Sequence, residues 1–446
     1  MSASPQGYHS GDPRLWHRRV WGLAGPIILS NLSIPLVGLV DTAVMGHLPD
    51  PVFIGAVALG AVIFSFIFWG FGFLRMGTTG LVAQARGRSD GGEIRATLGR
   101  GAVIALVCAL AVLALQVPLV EVGLWFMDGG AELKALAREY FLVRIWATPA
   151  TLLNYLILGA LIGLQDTRSA LVSQLVLNLA NVVLDLWFVP GLGWGVSGVA
   201  LASVISAWLA VGVGGWLLNR RLREFAGAWD RARILEPGAM KDFIAVNANI
   251  LVRTLLLLSV FGYFTVLGTG MGPAVLAANA VLIQLMHVLA YGLDGFAHAA
   301  EALAGSAYGS RDRGAFRSAV RVSTLWALVV AALFALAYAV AGGSLVALIT
   351  DIEAVRATAD PYLPWLVLAP LVSVWSYQLD GIFIGTTRTV EMRNAMAVST
   401  LFFVIASQLL IPLWGNHGLW LALLGFNAVR ALTLWAYWGR IIGSLN

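Results

Sequence analysis

Along this chain the apolar residues neither alternate with polar ones nor form a narrow stripe every three or four positions. They run on, in uninterrupted stretches of about 20 residues, the length a helix needs to cross a hydrocarbon core about 30 Å thick. Twelve such windows can be placed, near 20–45, 53–76, 98–120, 140–164, 169–190, 194–218, 243–268, 273–300, 318–348, 361–386, 392–412 and 417–440. Short segments rich in Gly, Pro, Asp and Arg separate them. The pattern predicts an all-α polytopic membrane protein with twelve transmembrane helices. The first window is too long for a signal-peptide core and no small-residue cleavage site follows it, so it is expected to remain as helix one.

Sliding the chain against itself by 222 residues without a gap aligns Val44 with Val266, Gly46 with Gly268, Pro51 with Pro273, Gly87 with Gly309, Asp90 with Asp312 and Arg95 with Arg317. Twelve identities fall in the 55 positions from 41 to 95, where so biased a composition gives roughly one in ten by chance. The same offset pairs Tyr155 with Tyr377, Gly159 with Gly381, Gly163 with Gly385, Thr167 with Thr389, Pro190 with Pro412 and Gly193 with Gly415. Two pseudo-symmetric six-helix lobes follow, residues 1–222 and 243–446, joined by a cytoplasmic linker at 223–242. Six is even, so both lobes enter the membrane in the same direction. Such a parallel repeat is an arrangement of secondary transporters, with substrate held between the lobes.

Composition agrees: 59% of the 446 residues are hydrophobic and 11% charged, with a mean hydropathy of +0.83. The net charge of +5 reports topology rather than a nucleic-acid partner. With the amino terminus inside, 21 of the 28 Lys and Arg residues fall in cytoplasmic segments, which places both termini in the cytoplasm. Lys134, Arg138 and Arg356 fall outside, and Arg75, Arg144, Arg253 and Arg430 lie within windows. No phosphate loop GxxxxGK[ST], HExxH, GxSxG or Cys/His cluster occurs, so neither an ATP-driven pump nor an enzyme is expected, and no cofactor or metal centre. Cys108, the one cysteine, reads as a small core residue. Trp16, Trp21, Trp194, Trp414, Trp420 and Trp438 near window ends read for the most part as interface anchors.

The chemistry lies in the charges that the windows contain. A carboxylate near a helix centre costs roughly 2.5–3.5 kcal/mol even on lenient insertion scales, and Asp41, Asp185, Asp294, Glu301 and Asp380 are such groups. Asp41 and Asp185 sit at similar depth toward the outer ends of helices one and five. In NLANVVLDLWFVP, Asn181 lies one turn below Asp185 and Asn178 one turn further on the same face, with Asn154 of helix four able to approach from the side. This oxygen-rich cluster is a candidate cation site, for H+ at Asp41 and Asp185 or for Na+ with the asparagines adding ligands. The alternative is a set of hydrogen-bonded structural acids that never titrate. At the 222 offset, Tyr263 and Ser407 stand opposite Asp41 and Asp185, so the acids belong to one lobe. Pro26 and Pro35 permit helix one to bend. In the second lobe Arg253, Asp294 and Asp380 read as an ion-paired network or as a second cation or substrate site. Glu301 and Arg75 are close enough to the inner interface to snorkel.

The segments IPLVGLVDTAVMGHL (34–48), FLRMGTTGLVAQA (73–85), YGLDGFAHAAEALAGSAYGSRD (291–312), LDGIFIGTTRTVEMRNAM (379–396) and GNHGLWLAL (415–423) together resemble the multidrug and toxic compound extrusion (MATE) transporters, within them the DNA-damage-inducible protein F branch. The resemblance runs from about Trp21 to Arg440. It implies a monomeric, cation-coupled antiporter in the bacterial inner membrane that exports amphipathic, often cationic, organic compounds by alternating access. The branch's helix-one aspartate corresponds to Asp41, and its helix-five asparagine and aspartate to Asn181 and Asp185. Other branches carry a cation-site glutamate in helix seven, where this chain offers Asn247, Asn249 and Arg253. The rival reading is a lipid-linked oligosaccharide flippase, which shares the two-lobed plan but calls for a wide cationic cavity. Expected partners are small amphipathic substrates and membrane lipids.

Overall fold

The computed structural model describes residues 13–46, 50, 52–127 and 129–445, and the described residues form helices without strands. In chain order these are α1 (Pro13–Gly46), α2 (Val52–Gly70), α3 (Phe73–Gly87), α4 (Gly91–Ala114), α5 (Gln116–Trp125), α6 (Ala131–Arg144), α7 (Thr148–Gly163), α8 (Thr167–Leu186) and α9 (Gly195–Leu222). After them come α10 (Arg231–Ile234), α11 (Pro237–Thr269), α12 (Pro273–Gly309), α13 (Arg313–Ile349), α14 (Glu353–Ala359), α15 (Leu363–Gly385), α16 (Thr389–Trp414), α17 (Asn416–Ala436) and α18 (Trp438–Gly443). Pairs such as α2 with α3, α6 with α7 and α14 with α15 act as single membrane-crossing rods. Among the described residues 11 rods are long and apolar enough to span a bilayer. The 34-residue α1, at 1.5 Å per residue, supplies the length for a twelfth. Val107, Leu110, Leu179, Val183, Leu333 and Leu336 are exposed, as lipid-facing side chains must be.

The chain packs as two compact units, Leu29–Asn247 in one and Met1–Ile28 with Ala248–Asn446 in the other. These boundaries differ from the sequence lobes in that α1 and α11 each contribute to both units. Within the discontinuous unit, Trp21 meets Phe296 and Trp326 edge to face at ring-centroid distances of 5.2 and 5.1 Å. The Trp326 indole donates to His17 Nδ1 at 2.9 Å. Within the contiguous unit, Phe64 stacks on Phe141 at 4.7 Å inside a core with Tyr140, Ile145 and Val199. Trp16 and Trp420 are buried rather than at an interface. Trp420 packs edge to face on Phe264 and donates to Asn279, which exchanges paired amide bonds with Asn416. Trp21, Trp194 and Trp414 are exposed.

The 222-residue repeat is written into the backbone. Among the described residues, the non-glycine positions with positive φ are Ser89, Gln165, Arg311 and Thr387, two pairs at that offset although the residue types differ within each pair. Each of the first pair precedes an aspartate whose carboxylate caps a helix: Asp90 accepts from the Glu93 amide and Asp312 from the Ala315 amide, both at 2.9 Å, a contribution of about 1 kcal/mol each. The helix crossings repeat too. Gly159 and Gly163 of α7 lie against the carbonyls of Arg75 and Thr79 on α3, and Gly381 and Gly385 of α15 against those of Ala297 and Glu301 on α12. Small residues four apart let two backbones approach where a Cβ would hold them off.

A Cβ on Gly163 would lie 2.7 Å from the Thr79 oxygen, whereas one on Gly212 would meet nothing within 4 Å. Gly163→Ala is therefore expected to cost about 1–3 kcal/mol of overpacking and to lower the unfolding midpoint of the detergent-solubilised protein. Gly212→Ala, which gains helix propensity in open space, is the control and should leave the midpoint unchanged or raise it.

The linker is pinned rather than loose. Arg233 pairs with Asp90 at 2.6 Å and Glu93 at 3.2 Å. Arg100, paired with Glu93 at 2.7 Å, donates to the carbonyls of Arg233 and Ile234, and Arg95 reaches the Leu222 carbonyl at 2.8 Å. Burial opposes ionisation of Asp90, yet the hydrogen bonds from Arg233 and the Glu93 amide, with the charges of Arg233 and Arg88, hold its carboxyl below its ordinary value. A lowered carboxylate pKa adds stability above the ordinary carboxylate range and loses it as the pH falls below that range. Both side chains are more than a third exposed, so screening keeps this contribution under about 1 kcal/mol.

Candidate functional site

Helix α8 is built inside out. Ala170, Ser173, Asn178, Asn181 and Asp185 are buried along one face, while Val172, Leu175, Leu179, Val183 and Leu186 are exposed on the other. The three- and four-residue spacing stacks the polar groups into one stripe, and the leucines and valines face lipid. Asp166 starts the helix by accepting from the Ser169 amide at 3.2 Å. A π turn, Trp187–Gly191 containing Pro190, ends the rod immediately after Asp185. π geometry is uncommon and clusters at functional sites.

Asp185 is fully buried, at 0% exposure. The asparagines around it are tied to α1, to α9 or to α8 itself. Asn178 donates to Ser33 Oγ of α1 at 2.6 Å and accepts from Gln174 at 3.1 Å, and Ser33 in turn donates to the Ser30 carbonyl at 2.6 Å. Asn181 donates to Ser203 Oγ of α9 at 3.5 Å. Asn154 of α7 donates to the Ala207 carbonyl at 3.2 Å, while its own Oδ1 is buried and accepts no hydrogen bond among the described residues. Asp41 lies on α1 two turns beyond Ser33, and its side chain lies outside the described residues. At the equivalent place in the second repeat, Ser407 is fully buried and closes its hydroxyl on the Val404 carbonyl at 2.9 Å. Gln408 donates to the Tyr263 hydroxyl at 2.6 Å. The buried carboxylate belongs to one repeat only.

The discontinuous unit holds a different arrangement. Asp380 of α15 is ion-paired with Arg253 of α11 and lies 3.7 Å from Arg430 of α17. All three are buried. Arg430 also donates to Ser376 Oγ at 2.8 Å, which bonds the Ser373 carbonyl and Asn427, and its guanidinium sits over the rings of Tyr377 and Phe426. Asp294 of α12 is half-buried and close enough to act on Arg430 electrostatically. A carboxylate between two guanidiniums is compensated where it stands and has little to offer a further cation. Sequence reasoning missed Arg430, because no local spacing connects α17 to α15.

Arg144, also without a role at the sequence level, is hydrogen-bonded to Tyr140 and lies over the Phe64 ring. Glu301 does not snorkel. It is fully buried and 3.0 Å from His298 Nδ1, on the stretch of α12 that Gly385 presses against. No cluster of three or more metal-ligating His, Cys, Asp or Glu side chains occurs among the described residues.

The MatE family model matches residues 26–187 and 250–409, one copy in each repeat. The chain is 41% identical over 431 residues to the DNA damage-inducible protein F of Escherichia coli strain K12, covering 97% of this chain and 93% of that protein. It is 25% identical over 422 residues to a probable multidrug resistance protein NorM of Synechococcus, covering 90% and 88%. Among solved structures, the outward-facing conformation of a multidrug resistance MATE family transporter superposes with a TM-score of 0.85 over 100% of this chain and 99% of that one, at 19% identity.

Proposed function

Since this chain belongs to the MatE family of multidrug and toxin extrusion transporters and is a multi-pass membrane protein, we propose that it is a proton-coupled antiporter rather than an enzyme. It exports amphipathic, often cationic, organic compounds across the bacterial inner membrane with both termini in the cytoplasm. The observation that carries the proposal is the fully buried Asp185 in the asparagine stripe of α8, with an uncharged, back-bonded serine at its repeat counterpart. Unlike Asp380, which sits between two guanidiniums, Asp185 lies in a stripe of amides.

Asp41 and Asp185 take up the ion from the outside, ion binding favours release of the compound there, and the reset carries the ion inward. The requirement is that ion and compound bind the two states with different affinities. One elementary charge moving through 100 mV supplies roughly 2.3 kcal/mol, a concentration ratio of about 50. Protons need only the carboxylates. Sodium needs several oxygens, and the buried Oδ1 of Asn154, which accepts no hydrogen bond among the described residues, supports that second reading together with Asn178 and Asn181. The flippase reading loses its cationic lining: Arg253 and Arg430 are committed to Asp380, and Arg144 to Tyr140.

The test uses inside-out vesicles with an imposed proton gradient, a pH-quenched dye and an added lipophilic cation. The cation is expected to discharge the gradient in vesicles carrying the protein and not in empty ones. Discharge of a sodium gradient instead assigns the site to Na+. Indifference to both ions overturns the proposal.

A further inference from the structure

Helices α5 and α6 enclose a cleft of about 630 Å³ lined by Glu121, Leu124, Ala131, Lys134, Ala135 and Arg138, within the usual range for small-ligand sites. A second cleft, of about 400 Å³, is lined by Gly343, Val346, Glu353, Arg356, Ala357 and Asp360. These six positions of each lining correspond at the offset of 222, while Val122 and Trp125 line the first cleft alone and Leu363 the second alone. The backbone is therefore repeated, and the charge is reversed. Lys134 and Arg138 face one acid, Glu121, in the first cleft, whereas Glu353 and Asp360 face one base, Arg356, in the second. Arg138 pairs with Glu121, and Lys134 makes no ion pair among the described residues. Arg356 spends its donors on the carbonyls of Thr350 and Ala347 and on Asp351.

The first cleft opens beside Trp125 and Phe126, 77% and 75% exposed, with Val122 also exposed between cleft and aromatics. The α6–α7 rod, Ala131–Gly163, is about 50 Å long at 1.5 Å per residue, against a bilayer of about 40–45 Å including its headgroups, and the cleft is lined by the first two turns of that rod. The cleft thus lies at headgroup level, and its bare aromatics are those of a membrane interface. We propose that the cleft bounded by Lys134 and Arg138 binds the headgroup of an anionic phospholipid, with Trp125 and Phe126 against the acyl chains. In the orientation proposed above that lipid is in the outer leaflet. Glu132 and Glu139 lie on other faces of α6, and Glu139 accepts from Ser197. The second cleft, with Glu353 and Asp360 in its lining, repels the same ligand.

The test is a titration of the full chain in detergent with phosphatidylglycerol and with phosphatidylcholine, read by native mass spectrometry. It needs no transport activity, so its failure is separable from failure of the ion-coupling proposal. Each basic residue is expected to contribute about five-fold in affinity. Lys134→Ala with Arg138→Ala should therefore weaken phosphatidylglycerol binding roughly 25-fold and leave phosphatidylcholine binding unchanged. Lys134→Gln alone should weaken it about five-fold at an unaltered unfolding midpoint, and Arg356→Ala should leave it as in the wild type. Undiminished phosphatidylglycerol binding in the double variant overturns the proposal, as does an equal loss in Arg356→Ala. Displacement of the lipid by an equal concentration of glycerol phosphate would make the cleft a site for a soluble phosphate ester instead.

Discussion

Asp185→Asn is expected to bring substrate-driven discharge of the ion gradient down to the level of empty vesicles while leaving the protein folded. Asparagine matches aspartate in size and keeps the hydrogen-bonding oxygen, so the stripe of α8 can hold its packing. What disappears is the charge, and with it the ability to carry a proton or to attract a cation. Removing a buried carboxylate also removes its desolvation cost, so the unfolding midpoint should stay level or rise. A purely architectural acid behaves in the opposite way: coupling survives in whatever protein folds, and the midpoint drops by several degrees. Ser407→Ala, at the repeat counterpart, should leave coupling intact and serves as the control. If Asp185→Asn discharges the gradient as fast as wild type, the α8 carboxylate is not the ion carrier.

The second large effect is in the other unit, and there the sign on stability reverses. Asp380→Asn leaves Arg253 and Arg430 buried without their ion-pair partner, with Asp294 acting on Arg430 only at longer range, a change worth about 3–5 kcal/mol where a buried pair is broken from one side. The expected result is the lowest unfolding midpoint of the variants considered, with poor recovery from the membrane. Adding Arg253→Met to Asp380→Asn removes one of the stranded cations and should restore much of the loss. This rescue is a signature of charge balance that a loss of packing would not show. If Asp380→Asn is as stable as wild type but transports nothing, Asp380 is an ion or substrate ligand despite its arginines.

The two clusters were unequally legible in the sequence. Asn178, Asn181 and Asp185 share one helix, so their three- and four-residue spacing is enough to put them on a common face. The repeat was legible for a similar reason: Gly159, Gly163, Gly381 and Gly385 sit where backbones cross, and no larger residue fits there. Arg430 was invisible because its partner Asp380 lies 50 positions away in another helix. The depth of Glu301 was misjudged because it was counted from the end of an apolar window near residue 300, whereas α12 continues to Gly309. Trp420 was read as an interface anchor from its position near a window end, but the amide of Asn279 holds its indole in the core. Window ends report hydropathy, and helices are free to overrun them.

The division of the chain into one contiguous and one discontinuous unit has a consequence for how the protein is made. Residues 29–247 leave the ribosome as a complete set of packing partners, down to the Arg233 clamp on α4. The start of α1 does not. His17 waits for Trp326, 309 residues later, and Trp21 waits for Phe296 and the same tryptophan. At about 5–20 residues per second, that is a delay of roughly 15–60 seconds in which α1 has only its second half packed. The first turns of α1 are thus among the last parts of the protein to find their packing partners.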